Sequence, residues 1–143
     1  MTTCTAELRP GRFGHWMSLD TKFRLREDEP DERTTVIGVA GEIHVSTAPE
    51  FSRRLNDAIA GGKTAVVLDL RDTTFIDSTG LSVLLNGLRR VTRRNGRMAL
   101  VCTNPTVLRL FEITRLDTTF DIRQSLDAAL EGVGAGRDGD GAR

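Results

Sequence analysis

Residues 66–85 read VVLDLRDTTFIDSTGLSVLL, and they are the most informative part of the sequence. An apolar run, Val66–Leu68, gives way to a short polar segment, and apolar residues then return at the spacing of a helix. Ser78 lies at this junction, directly after Asp77. The first amides of a helix lack intrahelical partners, and the aligned peptide dipoles favour negative charge there. The sequence therefore predicts a hydroxyl at a position where a helix accepts a phosphate group well.

The segments on both sides of this stretch predict alternating strands and helices. Phe23 and Leu25 alternate with charged residues as in a strand, and Val36–Ala40 predicts its hairpin partner at an edge of the sheet. Thr47 and Glu50 match the capping box of a first helix. Further strands are predicted at 65–68, 98–101 and 120–122, and further helices begin near 78, 104 and 125. A hairpin followed by strand–helix repeats predicts one α/β domain with a mostly parallel central sheet and about four helices.

Both ends of the chain differ in composition from the middle. The first residues include Pro10 and Gly11, and residues 132–143 read GVGAGRDGDGAR. Such composition favours disorder. We therefore expect a disordered extension over residues 1–20, a single domain over 21–131 and a Gly-rich disordered tail over 132–143. Strand-like residues begin at Met17, so residues 1–16 are either an upstream extension or the product of a misassigned start.

The overall composition predicts a small, reduced protein of balanced charge. The chain has 143 residues, with 20 basic and 20 acidic side chains, so its net charge does not favour nucleic acid or anionic membranes. No apolar run approaches the roughly 20 residues that cross a bilayer, and the start lacks the apolar core of a secretory signal. Cys4 and Cys102 lie too far apart to suggest a metal site or a disulfide framework. We expect a cytoplasmic protein without a cofactor.

Residue patterns for catalysis are weak in this chain. The sequence contains neither the phosphate-binding loop Gly-x-x-x-x-Gly-Lys nor the nucleophile elbow Gly-x-Ser-x-Gly. His44 is the base that a hydrolytic Ser78 would need, and no carboxylate can be assigned to orient it. Asp69 and Asp72 faintly suggest a phospho-aspartate or metal site, but polar residues are common at the carboxyl ends of strands. We predict that the protein is not an enzyme.

Two features near the junction have more than one interpretation. An arginine-rich segment follows Ser78 on the outer face of the predicted helix. Its members are Arg89, Arg90, Arg93, Arg94 and Arg97. They suit an acidic partner or nucleic acid, but a charged helix face is more often simply solvated, and no aromatic residues are interleaved. Phe75 fits either the core or a docking patch, and the core is the simpler prediction.

Several segments together form a recognisable pattern. They are Gly41–Ile43 followed by Ser46–Ala48, then Val67–Leu70, Phe75–Leu81, Gly96–Val101, and Phe120–Ile122 with Ser125–Leu130. Over residues 21–131 they resemble the STAS domain of bacterial anti-sigma factor antagonists. The Asp-Ser-Thr-Gly segment between a strand and a helix is the most specific part of the resemblance, and Gly-Glu-Ile is weaker by itself.

The resemblance implies regulation of transcription by partner switching. The unphosphorylated protein is expected to bind a serine-kinase anti-sigma factor of the histidine-kinase-like ATPase type, which frees a sigma factor. Phosphorylation of the matching serine, Ser78, ends that binding, and a PP2C-type phosphatase restores it. Thr79 is the alternative acceptor, and Asp77 is implied to assist presentation of the serine. The residues predicted to bind or present to the partner are His44, Phe75, Asp77, Ser78, Thr79 and Gly80.

The chain departs from the family pattern at one position beside the serine. The family usually has Asp after Gly-Glu-Ile, and this chain has His44. Because histidine changes charge near neutral pH, this departure predicts a pH-sensitive switch or altered docking of the kinase.

Two other functions stay open: a STAS scaffold subunit of a transport or signalling assembly that is indifferent to Ser78, and a small nucleotide-binding protein. The edge of the predicted hairpin also offers a surface for a homodimer.

Overall fold

A computed structural model describes residues 17–20 and 23–134 of the chain. Seven strands and four helices lie within these residues. The strands are β1 (Met17–Asp20), β2 (Phe23–Asp31), β3 (Thr34–Ile43), β4 (Ala65–Asp69), β5 (Thr73–Ile76), β6 (Arg97–Val101) and β7 (Asp121–Arg123). The helices are α1 (Ala48–Ala60), α2 (Ser78–Arg93), α3 (Pro105–Ile113) and α4 (Leu126–Gly132).

The strands form one sheet in the order β1-β2-β3-β4-β6-β7, with β5 paired to β3 beside this path. The β1–β2 and β2–β3 pairs are antiparallel, and the β3–β4, β3–β5, β4–β6 and β6–β7 pairs are parallel. The predicted α/β fold with a mostly parallel sheet after a hairpin is therefore confirmed. The prediction that the hairpin lies at an edge is wrong, because β1 pairs with the outer side of β2.

The helices cover the two faces of the sheet unequally. Helices α1, α2 and α3 pack on one face. Their cluster of buried side chains includes Phe51, Leu55, Leu84 and Phe111 from the helices and Ile37, Leu68 and Leu100 from the strands. Helix α4 packs on the opposite face, over a smaller cluster that includes Val67, Ala99 and Ala129. Because successive strand residues alternate between faces, β4 is buried on both sides, as its continuous apolar sequence predicts.

Strand β3 pairs with two different strands along its length. Its first half, Thr34–Gly38, pairs with β4, and its second half, Gly41–Ile43, pairs with β5. Between β4 and β5 the chain turns, and the amide of Thr73 donates to the carbonyl of Leu70 at 3.0 Å. The sequence predictions did not include β5. Because β5 pairs with the second half of β3, the chain lies beside the carboxyl end of β3 immediately before α2 begins.

Both predicted boundaries of the domain need correction. Met17–Asp20 form β1 and pair with β2, so these residues belong to the sheet and not to an extension. Gly132 completes α4, and the apolar side chain of Val133 is buried in the smaller cluster, so the tail does not begin at residue 132. The rest of the predicted extension and tail, residues 1–16 and 135–143, lies outside the described residues.

Two findings on the described residues concern membrane insertion and thiol chemistry. No helix in the described part of the chain is long and apolar enough to cross a membrane. Cys102 is buried in the core, and this burial raises the pKa of its thiol. A thiol in such surroundings is a weak nucleophile. Cys4 lies outside the described residues.

Candidate functional site

Helix α2 begins directly at the predicted junction. Asp77 is its N-cap residue, and its carboxylate Oδ1 accepts a hydrogen bond from the amide of Gly80 at 3.0 Å. The carbonyl of Asp77 accepts the first bond of the helix, from the amide of Leu81 at 3.0 Å. Capping of this kind satisfies one of the amides that a helix start leaves unpaired. The predicted helix start at Ser78 is confirmed.

Ser78 is the first residue of α2 and is exposed. Its carbonyl accepts a hydrogen bond from the hydroxyl of Ser82 one turn later, at 3.1 Å. Thr79, the alternative acceptor of a phosphate, is only partly exposed. Of the two hydroxyls at this helix start, that of Ser78 is the more accessible to an enzyme in solution.

The position of the helix start is fixed by the paired ends of β3 and β5. Ile43 and Ile76 lie opposite each other in the parallel register, and the amide of Asp77 donates to the carbonyl of Ile43 at 3.0 Å. Gly80 packs against both strands: a Cβ atom there would lie 2.8 Å from Cγ2 of each isoleucine and 3.1 Å from the Ile43 carbonyl oxygen. Gly80 is buried, so its side of the helix packs on the strands that position Ser78, and its role in presenting the serine stays a prediction.

A second set of hydrogen bonds holds the start of β5. The hydroxyl of Thr73 donates to the carbonyl of Val39 at 2.8 Å. The side-chain amide of Asn104 donates to the carbonyl of Thr73 at 3.2 Å, while its Oδ1 accepts from the amide of Thr106 at 2.9 Å and caps α3. The sequence predicted a helix start near residue 104 with Asn104 or Thr103 as its cap, and the structure shows that Asn104 is the cap. The sequence contained no signal for the bond to Thr73, which joins residues 31 positions apart.

His44 lies in the loop after β3, next to the residue that binds the amide of Asp77. Its Nδ1 accepts from the amide of Ser46 at 3.2 Å, and its Nε2 lies 3.6 Å from a carboxylate oxygen of Glu42. The hydroxyl of Thr47 closes the loop by accepting from the amide of His44 at 3.0 Å and donating to the carbonyl of Glu42 at 2.7 Å. Because that hydroxyl makes no cap bond to α1, the predicted capping box with Glu50 is wrong. The pH dependence predicted for His44 stays a prediction.

Two exposed apolar side chains lie at the same corner of the domain. Phe75, on β5 opposite Glu42, is 46% exposed, so the prediction that it belongs to the core is wrong. Its position on a short strand outside the main sheet path leaves it only partly covered. Val45, in the loop after His44, is 68% exposed. Sequence reasoning missed Val45, although a single apolar residue between His44 and Ser46 was a signal for it.

Asp69 has a structural role and does not join the site around Ser78. It is 3% exposed, and its carboxylate accepts hydrogen bonds from Arg26 at 2.7 Å and from Arg71 at 2.9 and 2.7 Å. Burial alone would raise the pKa of Asp69, but these guanidinium groups and the backbone amide of Arg71, which donates to Oδ1 at 3.1 Å, outweigh it and hold the pKa below its ordinary value. Asp72 is exposed, and no group of acidic, His or Cys residues within the described ranges is arranged to hold a metal ion.

The fold and the site together define the class of protein. It is a small α/β domain with an exposed serine at the start of a helix. A model of the STAS domain matches residues 26–129. The chain belongs to the STAS domain family, and the resemblance stated from the sequence is confirmed.

Three similar proteins come from bacteria. The chain is 35% identical over 107 residues to the anti-sigma-B factor antagonist of Listeria monocytogenes, covering 73% of this chain and 90% of that protein. It is 29% identical over 101 residues to the anti-sigma-B factor antagonist of Bacillus subtilis, covering 71% and 92%. The crystal structure of an anti-sigma factor antagonist from Mycobacterium paratuberculosis aligns with a TM-score of 0.71 at 29% identity, covering 82% of this chain and 98% of that one.

Proposed function

We propose that this protein is a cytoplasmic anti-sigma factor antagonist that works by partner switching. In this proposal the unphosphorylated protein binds a serine-kinase anti-sigma factor of the histidine-kinase-like ATPase type, and a sigma factor is released. Phosphorylation of Ser78 ends the binding, and a PP2C-type phosphatase restores it. The protein is then a substrate of both enzymes and not an enzyme itself. Its family and the names of its relatives in Listeria and Bacillus support this proposal.

The observation that carries the proposal is the exposed hydroxyl of Ser78 at the start of α2. The neighbouring carboxylate of Asp77 is bound to the amide of Gly80 and so serves the helix backbone. This leaves the serine side chain accessible to a kinase, while the cap keeps the helix start ordered. The amides of the first turn and the helix dipole would also stabilise the phosphate once it is attached.

The charge of a phosphate is sufficient to separate the two proteins. Phosphorylation adds about −1.5 to −2 charges at one helix end. A partner packed on this surface would have to desolvate that charge beside the carboxylate of Asp77, whereas the free protein leaves it in water. A penalty of about 2.8 kcal/mol weakens binding a hundredfold. The switch therefore needs no refolding of the domain.

The exposed apolar side chains beside Ser78 suit the contact with the kinase. Val45 and Phe75 flank the carboxyl ends of β3 and β5, from which α2 begins. Buried apolar anchors near the centre of an interface supply much of its binding energy, and polar groups surround them. His44 lies directly before Val45 in the same loop, at the position where the family usually has an aspartate.

A pull-down with defined baits tests the proposal. The baits are the wild type, Ser78→Ala, Ser78→Asp, protein phosphorylated at Ser78, and Ser125→Asp as a matched control. Ser125 is also an exposed serine at a helix start, but it caps α4 on the opposite face of the sheet. Bound proteins from the source cell are identified by mass spectrometry.

We expect a histidine-kinase-like ATPase on the wild type, Ser78→Ala and Ser125→Asp baits, and its loss from the phosphorylated protein. Aspartate imitates phosphate imperfectly, so Ser78→Asp should show an intermediate or complete loss. Equal retention of the same partners by all five baits would reject the switch and favour a scaffold. Saturable binding of ATP or GTP to the isolated protein, measured by calorimetry, would instead favour a nucleotide-binding protein.

A further inference from the structure

Arginines are concentrated on the outer face of α2 and just beyond its end. We define the arginine surface as Arg89, Arg90 and Arg93, together with the adjoining Arg94 and Arg97. All five are exposed. No acidic residue occurs anywhere between Ser78 and Arg97. The positive charge of this surface is therefore not balanced within its own segment.

The arginines of this surface make different contacts from the arginines of the domain that are buried or form ion pairs. Arg26, Arg54, Arg71 and Arg123 each contact a carboxylate. Within the described residues, Arg89, Arg90 and Arg93 form no ion pair, and Arg89 reaches only the side-chain oxygen of Asn86, at 3.4 Å. Arg94 donates to the carbonyl of Ile59 at 2.9 Å, which ties that side chain to α1.

Helix stability does not account for this concentration of charge. Cations in the last turn of a helix interact favourably with its dipole, which explains Arg90 and Arg93. Like charges four residues apart repel each other, however, and Arg89–Arg93 and Arg90–Arg94 are two such pairs. The repulsion is relieved when an acidic surface binds there.

The arginine surface is continuous with the surface around Ser78. Residues 78, 82, 89 and 93 recur at the spacing of a single helix face, and all four are exposed. At about 1.5 Å per residue, Arg89 lies roughly 16 Å and Arg93 roughly 22 Å along the axis from Ser78. Both lie within the span of one standard interface of about 800 Å² per partner.

We infer that the kinase proposed above docks along the whole outer face of α2 and presents an acidic surface to Arg89, Arg90 and Arg93. This inference rests on the proposed function and adds the chemistry of the partner. Complementary charges outside the centre of an interface mainly accelerate association. The arginine surface therefore guides the encounter, and Ser78 decides whether the complex persists. A protein is favoured over nucleic acid because no aromatic residue lies among the arginines and the face is shared with Ser78.

Association kinetics test this inference with matched variants. One variant carries Arg89→Ser, Arg90→Ser and Arg93→Ser. The control carries Arg33→Ser, Arg53→Ser and Arg109→Ser, which removes the same charge from exposed positions outside α2. A third variant replaces the three α2 arginines by lysine, which keeps the charge. Each is measured against the purified histidine-kinase-like ATPase of the source organism at several salt concentrations, with unfolding temperatures recorded.

We expect the α2 serine variant to associate about tenfold more slowly at low salt, with little change in dissociation rate. Near 0.5 M salt, where screening lengths fall to about 4 Å, the difference should close. The lysine variant and the control should stay within about twofold of the wild type. Equal slowing by the α2 variant and the control would overturn the inference, since net charge alone would then explain it. Loss of binding to a 20-base-pair DNA duplex without an effect on the ATPase would overturn it in favour of nucleic acid.

The two proposals fail in different ways. If the wild type and its Ser78-phosphorylated form bind the ATPase equally, the switch fails, and the α2 variants still decide whether an acidic surface docks there. If the switch operates and the α2 variant behaves as the wild type, only the inference fails. If the wild type binds no such ATPase, both are wrong.

Discussion

Two aspartates follow apolar segments in similar ways, and the structure uses them for opposite purposes. Asp69 ends β4, is almost completely buried, and binds two guanidinium groups. Asp77 follows β5, is partly exposed, and binds a backbone amide of α2. Within the described residues Asp77 forms no ion pair, whereas Asp69 is neutralised by Arg26 and Arg71.

This difference bears on the proposed phosphorylation of Ser78. A phosphate attached there would meet helix amides and the carboxylate of Asp77, which forms no ion pair within the described residues, whereas the carboxylate of Asp69 is neutralised by Arg26. The fold neutralises the charge of Asp69, whereas in the proposed complex the charge of Asp77 would face the partner. We therefore expect changes at Asp69 to affect stability and changes beside Asp77 to affect binding.

The largest effect on stability should come from Asp69→Asn. It removes the charge of a carboxylate that accepts hydrogen bonds from both Arg26 and Arg71, and Arg26 is itself buried. Breaking a buried ion pair from one side costs about 3–5 kcal/mol. The matched variant Asp77→Asn should cost less than about 0.5 kcal/mol, because Asn caps helices as well as Asp does. Urea denaturation measures the free energy of unfolding of both variants, and equal losses would contradict the proposed difference between the two aspartates.

The pH dependence of stability sharpens the same contrast. The pKa of Asp69 is lowered in the folded protein, so its ionised form stabilises the fold above its unfolded pKa of about 3.9. This contribution to stability is lost as the pH falls through the lower pKa that Asp69 has in the folded protein. The wild type should therefore lose its advantage over Asp69→Asn below about pH 4, as unfolding temperatures between pH 2 and 7 would reveal. A constant difference across that range would contradict the assignment.

A smaller loss of stability is expected for a substitution at Gly80, which packs against β3 and β5 at the helix start that carries Ser78. In Gly80→Ala the new methyl group would meet Cγ2 of Ile43 and of Ile76 at 2.8 Å, and the stiff β-branched side chains cannot easily move aside. Such overpacking costs about 1–3 kcal/mol. Asn86→Ala, at an exposed position of the same helix, should leave stability unchanged or slightly higher. Thermal unfolding of the pair decides the point, and a stable Gly80→Ala would mean that the contact is not tight.

The smallest loss should follow Asn104→Asp. The carboxylate still caps α3 but cannot donate to the carbonyl of Thr73, which holds the start of β5. We expect a loss of about 1 kcal/mol, as for a typical hydrogen bond. Ser125→Asp changes another cap to aspartate without a second bond and should stay within a few tenths of a kcal/mol. If the two variants unfold at the same denaturant concentration, Asn104 is only a helix cap.

Much of the fold followed from the sequence because its signals are local. The apolar run of β4, the helical spacing after Ser78 and the Asn and Ser caps each identify an element within a few residues. Strand β5 escaped prediction because its four residues include two exposed ones and follow a polar turn. Its partner lies 32 positions earlier in the chain, at Gly41 opposite Thr73, and no local pattern reports such pairing.

The part of the site that depends on local backbone chemistry could be predicted from the sequence. The part that depends on packing between distant segments could not. The helix start at Ser78 is visible in the spacing of polar and apolar residues. The exposure of Phe75 and the bond from Asn104 to Thr73 depend on β5 leaving the main path of the sheet, which only the assembled fold reveals. The roles of His44, Phe75 and Thr79 toward a partner stay predictions.

The most direct test of the account is the affinity of the purified ATPase for the unmodified protein and for the protein phosphorylated at Ser78. Titration calorimetry gives both values, and thermal unfolding of the two forms shows whether the domain itself changes. We predict at least a hundredfold weaker binding after phosphorylation, with unfolding temperatures that agree within about 2 °C, since the helix start accepts the phosphate. Equal affinities, or a loss of affinity accompanied by unfolding of the domain, would contradict a switch that works by local charge.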